Sequence, residues 1–259
     1  RVEQTSRHSE LMTLAVKHAI LKRDVSHLTF PDQVQVLPAG DATPQTSEGR
    51  ITPLDIAPPQ EALDAAVTAM KAATRPVIIV GHGARFHMDA ITALAEKMNS
   101  PVLTTFKAKG QISDAHRLGC GVLGRSGTPV ASHFMNESDL LIVIGASFSN
   151  HTGITPKKPT IQIDFDPLAL SKFHKVDVAV YGEISRTVGL IANESEALAA
   201  NKIDQTEEIA ARWAIWTNEK QKRLLDERGQ GVSSIAVFDA LTRLAPENAV
   251  MCVDVGNNA

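Results

Sequence analysis

The stretch Val77-Ile-Ile-Val-Gly-His-Gly-Ala-Arg85 holds the clearest structural signal in the chain. Its first four residues are apolar and β-branched, which indicates a strand that is buried on both faces. Two glycines follow within three residues, and glycine permits the tight turn that leads from a strand into a helix. Downstream, Ile91, Leu94, Ala95 and Met98 recur at helical spacing. The segment therefore predicts a strand, a turn and a helix in that order.

The same alternation of strand and helix extends in both directions from this segment. Further strands are predicted at residues 102–105, 140–144, 160–164 and 178–180, with helices beginning near residues 60, 128 and 183. Uninterrupted apolar strands between amphipathic helices are typical of a parallel sheet that helices cover on both faces. We therefore predict a doubly wound α/β domain over residues 60–197.

The segments before this domain have a different pattern. Residues 7–23 are predicted to form a helix and residues 25–30 a strand, which together are too little for a core. Residues 1–37 are therefore interpreted as the end of a domain that begins upstream. Residues 38–59 hold five of the 13 prolines and are interpreted as an extended linker.

The last part of the chain, residues 198–259, is predicted to form two helices and a strand. The first helix spans about 205–228, with Ile209, Trp213 and Trp216 on its apolar side, and the second spans 233–244. Val250-Met-Cys-Val-Asp254 has the pattern of a buried strand, and the chain stops five residues later. Because a parallel strand needs cover on both faces, we interpret both ends as cuts in a longer protein.

Composition argues against several classes of function. The net charge of −3 provides no basic surface for nucleic acid or for an anionic membrane. The longest apolar runs are about a quarter of a bilayer span, so no membrane span is predicted. Cys120 and Cys252 lie far apart without a C-x-x-C spacing, which favours a reducing, cytoplasmic setting.

The residues that follow the predicted strands are candidates for a ligand site, because ligands bind beyond the carboxyl ends of parallel strands. They are Gly81, Gly83, Phe106, Lys107, Gly145, Ser147, Asp164, Asp166, Gly182 and Glu183. Glycines let backbone amides approach a pyrophosphate, and an aspartate can accept a hydrogen bond from a ribose hydroxyl, so the set suits a nucleotide. The alternative is that glycines and acids end strands in every α/β protein, since G-x-G without a third glycine is a weak signal.

Gly124-Arg125-Ser126-Gly127 is a second candidate, because an arginine fork and glycine amides before a helix can cradle a phosphate. The alternative is an ordinary helix N-terminus with Ser126 or Thr128 as its cap. The nine histidines show no metal-ligand spacing, so no metal site is predicted. No G-x-S-x-G motif of a serine hydrolase occurs.

Five segments, in this order along the chain, resemble the central domain of thiamine-diphosphate enzymes of the acetohydroxyacid synthase and pyruvate oxidase family. They are Pro76-Val-Ile-Ile-Val-Gly-His-Gly-Ala-Arg85, Pro101-Val-Leu-Thr-Thr-Phe-Lys-Ala-Lys-Gly110, Ser138-Asp-Leu-Leu-Ile-Val-Ile-Gly-Ala-Ser147, Ile161-Gln-Ile-Asp-Phe-Asp-Pro167 and Lys175-Val-Asp-Val-Ala-Val-Tyr-Gly182. Leu28-Thr-Phe-Pro-Asp32 looks like the last strand of the family's pyrimidine-binding domain. Val253-Asp-Val-Gly-Asn-Asn258 looks like the first strand and diphosphate loop of its pyrophosphate-binding domain.

The resemblance implies a parallel six-stranded-type sheet and a parent enzyme that uses thiamine diphosphate and Mg²⁺. It places the family's catalytic glutamate upstream of residue 1 and the metal-anchoring motif downstream of residue 259, so that no catalytic residue falls within the chain. Only the first diphosphate contacts would fall within it, at Gly256, Asn257 and Asn258. The 259-residue chain is therefore expected to be inactive alone.

The resemblance also implies a flavin adenine dinucleotide (FAD) site in the central domain, as in many relatives, whereas others carry another nucleotide or none. The implied contacts are Gly81, Gly83, Thr105, Gly124, Arg125, Gly145, Ser147, Asp164, Phe165, Asp166, Gly182 and Glu183. The chain departs from the family at Ser147, where acetohydroxyacid synthases usually have an arginine. Some pyruvate oxidases also lack that arginine, so the departure leaves a flavin site open.

The parent protein implied by the resemblance is a homo-oligomeric enzyme that decarboxylates pyruvate or a similar 2-oxo acid. The alternative is a non-catalytic nucleotide-binding or interaction module of the same fold. An NAD-dependent dehydrogenase is disfavoured, because the glycine fingerprint is incomplete and no acid ends the strand at 102–105.

Overall fold

The computed structural model describes residues 1–38, 46, 48–225, 229 and 231–252. The chain divides into two compact units, Arg1–Ile56 and Ala57–Ala259. Among the described residues, no helix has both the length and the apolar character needed to cross a membrane.

The first unit contains two helices, and the second contains six strands and seven helices among the described residues. The helices are α1 (His8–Lys22), α2 (Asp32–Gln35), α3 (Gln60–Ala72), α4 (Met88–Lys97), α5 (Pro129–Glu137), α6 (Ile184–Ala192), α7 (Ser195–Ala199), α8 (Thr206–Leu224) and α9 (Ser234–Leu244). The strands are β1 (Pro76–Val80), β2 (Val102–Thr104), β3 (Gly119–Val122), β4 (Leu140–Ile144), β5 (Thr160–Asp164) and β6 (Val178–Tyr181).

The six strands form one sheet in the order β3-β2-β1-β4-β5-β6, and every neighbouring pair is parallel. The order reverses between β1 and β4, where Val80 pairs with Ile144. This is the topological switch point at which doubly wound proteins bind ligands. The predicted doubly wound α/β fold is confirmed.

The core lies on both faces of this sheet. All five residues of β1 and of β4 are buried, as their uninterrupted apolar sequences predict. Helices α3, α4, α6 and α7 pack against one another, whereas α5 and α8 pack together and against β3. Helix α3 buries Leu63, Val67 and Met70, the predicted apolar face.

Three sequence interpretations need correction. Residues 25–30 do not form a strand, because a strand needs a neighbouring ladder and this segment makes a single backbone bond, from Val2 N to Thr29 O. Residues 250–252 also form no strand, and the remainder of that predicted strand lies outside the described residues. Strand β3 was not predicted, because Gly119-Cys-Gly-Val122 has no apolar run.

A cluster of charged residues connects helix α8 to the edge of the sheet at which the strands begin. Glu208 of α8 accepts from Arg75, which precedes β1, at 2.7 Å, and it lies 2.6 Å from Nε2 of His133 on α5. Hydrogen bonds from Arg75 and His133 hold the pKa of Glu208 below its ordinary value. The cluster therefore ties three elements together while Glu208 is ionised.

A second carboxylate, that of Asp139, forms hydrogen bonds at the same edge of the sheet. Asp139 accepts from the backbone amides of Thr74 at 2.6 Å and Arg75 at 3.0 Å. Burial would raise the pKa of Asp139, but these hydrogen bonds outweigh it and lower that pKa. Like Glu208, this carboxylate contributes stability above its unfolded-state pKa and loses it in acid.

Replacing Glu208 with Gln is expected to lower the free energy of unfolding by about 1 kcal/mol at pH 7, since the pair is partly exposed. Because the folded-state pKa of Glu208 is lowered, the wild type loses this advantage as the pH falls below about 4.3. Urea unfolding at pH 7 and at pH 3.5 should therefore show a smaller difference in acid. Glu207→Gln, on the exposed face beside it, is the control and should change little at either pH. An equal loss at both pH values would contradict the assignment.

Candidate functional site

The carboxyl ends of the parallel strands meet at one edge of the sheet, where backbone hydrogen bonds connect the loops after β1 and β4 with each other and with β5. Gly81 N donates to Ile144 O at 2.8 Å, and Gly83 N donates to Gly145 O at 3.0 Å. Gly145 N in turn donates to Ile163 O at 3.0 Å. The structure therefore places the predicted residues that follow these three strands along one edge.

The glycines of this edge are required by close backbone packing. A Cβ atom on Gly81 would lie 2.1 Å from Gly145 O, and one on Gly145 would lie 2.5 Å from Ala84 N. Gly145 also has φ +62°, which disfavours other residues. The amides of Gly81, Gly83 and Gly145 already donate to carbonyl groups, so these three glycines shape the edge and have no free donor for a phosphate.

The two residues that follow Gly145 have backbone amides that are available to bind an anion. Within the part of the chain that the structure describes, the amides of Ala146 and Ser147 donate to no acceptor. Ser147 is exposed, and its hydroxyl likewise makes no hydrogen bond to a described residue. Such unused amides beside a glycine turn are the groups that bind phosphates in other α/β sites.

The segment after β4 also reaches the loop after β3. Arg125 N donates to His151 O at 3.3 Å, and a Cβ atom on Gly124 would lie 2.4 Å from the same oxygen. Since β2 and β1 lie between β3 and β4 in the sheet, this segment spans roughly 14 Å at the usual strand spacing. The Arg125 guanidinium is exposed and makes no ion pair with a described residue, which leaves it free to bind an anion.

The loop before α5 is an ordinary helix start as well as a candidate anion site. Thr128 Oγ1 accepts from Ala131 N at 3.1 Å and is the N-cap of α5. Thr128 is thus one of the two caps that the sequence left open, and Ser126 is not the cap. Arg125 remains the only group of this loop whose charge is unpaired within the described residues.

An acidic group lies at the end of β5. Asp164 is 9% exposed, and its Oδ1 accepts from Asp166 N at 2.9 Å. Burial raises the pKa of Asp164, and the neighbouring charge of Asp166 acts in the same direction. Phe165 stacks on Tyr181 with ring centroids 5.8 Å apart. No side chain of a described residue donates to the Asp164 carboxylate, which can accept a further hydrogen bond from a ligand hydroxyl.

The predicted residues after β2 and β6 have structural partners. Thr105 N donates to Val80 O at 2.9 Å, and a Cβ atom on Gly182 would meet Thr187 Oγ1 at 2.7 Å. Glu183 caps α6 by accepting from Arg186 N at 2.6 Å, and it lies 3.1 Å from His87 Nδ1. Glu183 therefore already has two partners within the chain.

The cluster around His87 does not form a catalytic relay. Ser185 Oγ and Glu183 Oε1 both lie against Nδ1 of His87, at 2.8 and 3.1 Å. A serine–histidine–acid relay needs the serine and the acid on different ring nitrogens. The cluster instead joins the N-terminal ends of α4 and α6.

Two glutamines at this edge were not predicted from sequence. Gln162, fully buried in β5, donates to Ala146 O and Ala169 O and accepts from Ser171 N. It thereby joins the loop after β4 to the loop after β5. Gln111 donates to Gly81 O at 3.3 Å, and its buried Oε1 has no partner among the described residues. A polar residue inside an apolar strand was the signal available for Gln162.

The described residues contain no group of three or more histidine, cysteine, aspartate or glutamate side chains that could hold a metal ion. The predicted diphosphate contacts Gly256, Asn257 and Asn258 lie outside the described residues. Their role remains a prediction from the resemblance.

Comparison with known proteins agrees with the geometry of the sheet. Residues 63–191 match the family model of the central domain of thiamine pyrophosphate enzymes. The chain is 31% identical to the acetolactate synthase large subunit of Parasynechococcus marenigrum over 81% of this chain and 35% of that protein. It is 26% identical to the pyruvate oxidase of Lactiplantibacillus plantarum over 94% of this chain and 40% of that protein.

A further relative is isozyme 1 of the acetolactate synthase large subunit of Escherichia coli, 27% identical over 77% of this chain and 35% of that protein. The chain spans between 35% and 40% of the length of these relatives. The matched residues include all six strands of the sheet and the residues that follow them. The chain belongs to the family of thiamine-pyrophosphate-dependent enzymes and contains their central domain.

Proposed function

We propose that the chain is part of a thiamine-diphosphate-dependent enzyme that decarboxylates pyruvate or a similar 2-oxo acid and transfers the two-carbon unit to an acceptor. Support comes from relatives that are named acetolactate synthase and pyruvate oxidase. The parent is then a transferase, a lyase or an oxidase. We also propose that it is a cytoplasmic homo-oligomer with Mg²⁺ as a second cofactor, as the family resemblance implies.

Within this enzyme the central domain binds FAD along the carboxyl edge of the sheet. The observation that carries this proposal is the set of backbone hydrogen bonds that connect the loops after β1 and β4 with each other and with β5 at the switch point. The implied contacts extend from Arg125 after β3 to Glu183 after β6. At the usual strand spacing these ends are roughly 24 Å apart. That span suits an extended dinucleotide better than a mononucleotide.

The residues at this edge fit the chemistry of such a ligand. The unused amides of Ala146 and Ser147 and the exposed guanidinium of Arg125 are donors for phosphate oxygens. The Asp164 carboxylate is an acceptor for a ribose hydroxyl. When bound, the flavin supplies an acceptor for electrons, while the protein orients it and tunes its surroundings. Gln162 positions the loop that carries Ala146.

Thiamine diphosphate is the cofactor of the whole enzyme, and its binding by this chain rests on Gly256, Asn257 and Asn258 alone. Among the described residues, no group of three or more side chains could hold a metal ion, and the cluster around His87 is not a relay. We therefore propose that the 259-residue chain by itself is inactive and that it contributes the nucleotide-binding part of the enzyme.

A second candidate is a nucleotide-binding or interaction module of the same fold that carries no catalysis. One observation favours it: the amides of Gly81, Gly83 and Gly145 are already bonded to carbonyl groups. The glycine pattern is then explained by packing, without a dinucleotide. Binding of FAD would separate the first proposal from an interaction module that binds no nucleotide.

Asp164→Asn is expected to weaken FAD binding by about tenfold, the effect of one charge-assisted hydrogen bond. Asn keeps the side-chain oxygen that accepts from Asp166 N, and burial already disfavours the charge at this position. The fold should therefore survive. Isothermal titration calorimetry and flavin absorbance measure the affinity, and thermal unfolding without ligand checks the fold.

Asp64→Asn, on the exposed face of α3, is the matched control and should bind FAD as the wild type does. A wild-type chain that is colourless and shows no heat of binding with FAD would contradict the flavin proposal. Equal affinities of Asp164→Asn and the wild type would contradict the role of Asp164.

The purified chain, supplied with thiamine diphosphate, Mg²⁺ and FAD, is expected to release no CO₂ from pyruvate above a control without protein. The reason is that the described residues contain no group of three or more side chains that could hold the Mg²⁺ that the resemblance implies. A coupled assay or labelled pyruvate measures the release. Steady turnover that scales with chain concentration would overturn the proposal of inactivity.

A further inference from the structure

A groove of about 460 Å³ lies between the first turn of α5 and the C-terminal half of α8. Its residues include Pro129 and Val130 of α5 and Arg212, Ile215, Trp216 and Lys222 of α8. We refer to it as the α5–α8 groove. Its volume is within the range of sites for small molecules.

The first half of α8 packs against the sheet and against α5, and these contacts fix the two helices that form the groove. Ile209 is buried, and the indole nitrogen of Trp213 donates to Gly119 O of β3 at 2.8 Å. Glu208 bonds to His133 on α5, as described above. The next turns of α8 then leave the sheet, and Ile215 is 61% exposed. The groove is thus formed by two helices that are already fixed to each other.

Among the described residues that line the groove, the charges are mainly positive. Arg212 and Lys222 make no ion pair with any described residue. Arg223 pairs with Glu219 at 2.8 Å and lies over the ring of Trp216, 5.7 Å from its centroid. Two unpaired cations thus flank an aromatic ring and an exposed apolar side chain on a chain whose net charge is −3. An anion with a planar apolar body complements this arrangement.

We propose that the α5–α8 groove binds a nucleoside phosphate. The base packs on Trp216 and Ile215, since a base can stack on an aromatic side chain or pack on an apolar one. Arg212 and Lys222 bind the phosphate oxygens. The small size of the groove favours a single nucleotide over a protein segment. The proposal is independent of the dinucleotide site, because the groove residues include none of the implied flavin contacts.

Calorimetric titration of the 259-residue chain with ADP tests the proposal. Binding of ADP is expected. Adenosine lacks the phosphates and inorganic phosphate lacks the base, so each should bind at least about tenfold more weakly. Raising the salt concentration should weaken ADP binding, since the phosphate contacts are exposed. No heat with ADP at millimolar concentration, or phosphate binding as tightly as ADP, would overturn it.

Variants then assign the site. Arg212→Gln and Lys222→Gln should each lower the ADP affinity by about fivefold, and Trp216→Ala by about tenfold. Lys220→Gln, an exposed lysine of α8 outside the groove, is the matched control and should leave the affinity unchanged. Thermal unfolding of each variant checks the fold, and the two exposed cations can be replaced without loss of a contact to a described residue.

Asp164→Asn distinguishes the two sites. ADP binding at the groove should be the same in this variant as in the wild type, and FAD should displace only ADP that is bound at the strand ends. If Asp164→Asn abolishes ADP binding while the Arg212→Gln/Lys222→Gln double variant keeps it, ADP binds at the strand ends and the groove proposal is wrong. Failure of FAD to bind leaves this inference standing, since the two sites share no residue.

Discussion

The contact between the backbones of Gly81, Gly83 and Gly145 is the constraint on which the carboxyl edge depends. Gly81 and Gly83 follow β1, Gly145 follows β4, and a single added Cβ atom on Gly81 would overlap Gly145 O. Strands β1 and β4 are paired along their full length, so their loops must leave the sheet side by side. Only glycine allows the two loops to turn away from the sheet at that distance.

This packing separates the residues that build the edge from those that face a ligand. The glycine amides are used in building it, and the unused donors are those of Ala146 and Ser147. Gln162 holds the same loop from beneath through its bond to Ala146 O at 3.1 Å. A ligand at the switch point would therefore contact the loop after β4 more than the glycines of the β1 turn. The family's arginine at the position of Ser147 would lie in this loop.

Sequence predicted most of the central fold because its signals are local. Apolar runs and helical spacing identified five of the six strands and the main helices, but β3 has two glycines in four residues and no periodicity. Residues 25–30 alternate like a strand without having a neighbour to pair with. The strand-end residues were also predictable, since parallel strands end at one edge. The partners of those residues were not, because Glu183 meets His87 and Gln162 meets Ser171 only through tertiary packing.

The free energy of unfolding of Gly81→Ala, compared with that of Gly189→Ala, tests the close packing of these loops most directly. Gly189, in α6, has nothing within 4 Å of an added Cβ atom, so alanine should stabilise the helix by roughly 0.5 to 1 kcal/mol. At Gly81 the added Cβ atom would overlap backbone atoms of the loop after β4, and we expect a loss of about 3 kcal/mol or more. A Gly81→Ala chain as stable as the wild type would contradict the close approach of β1 and β4 loops from which the site was built.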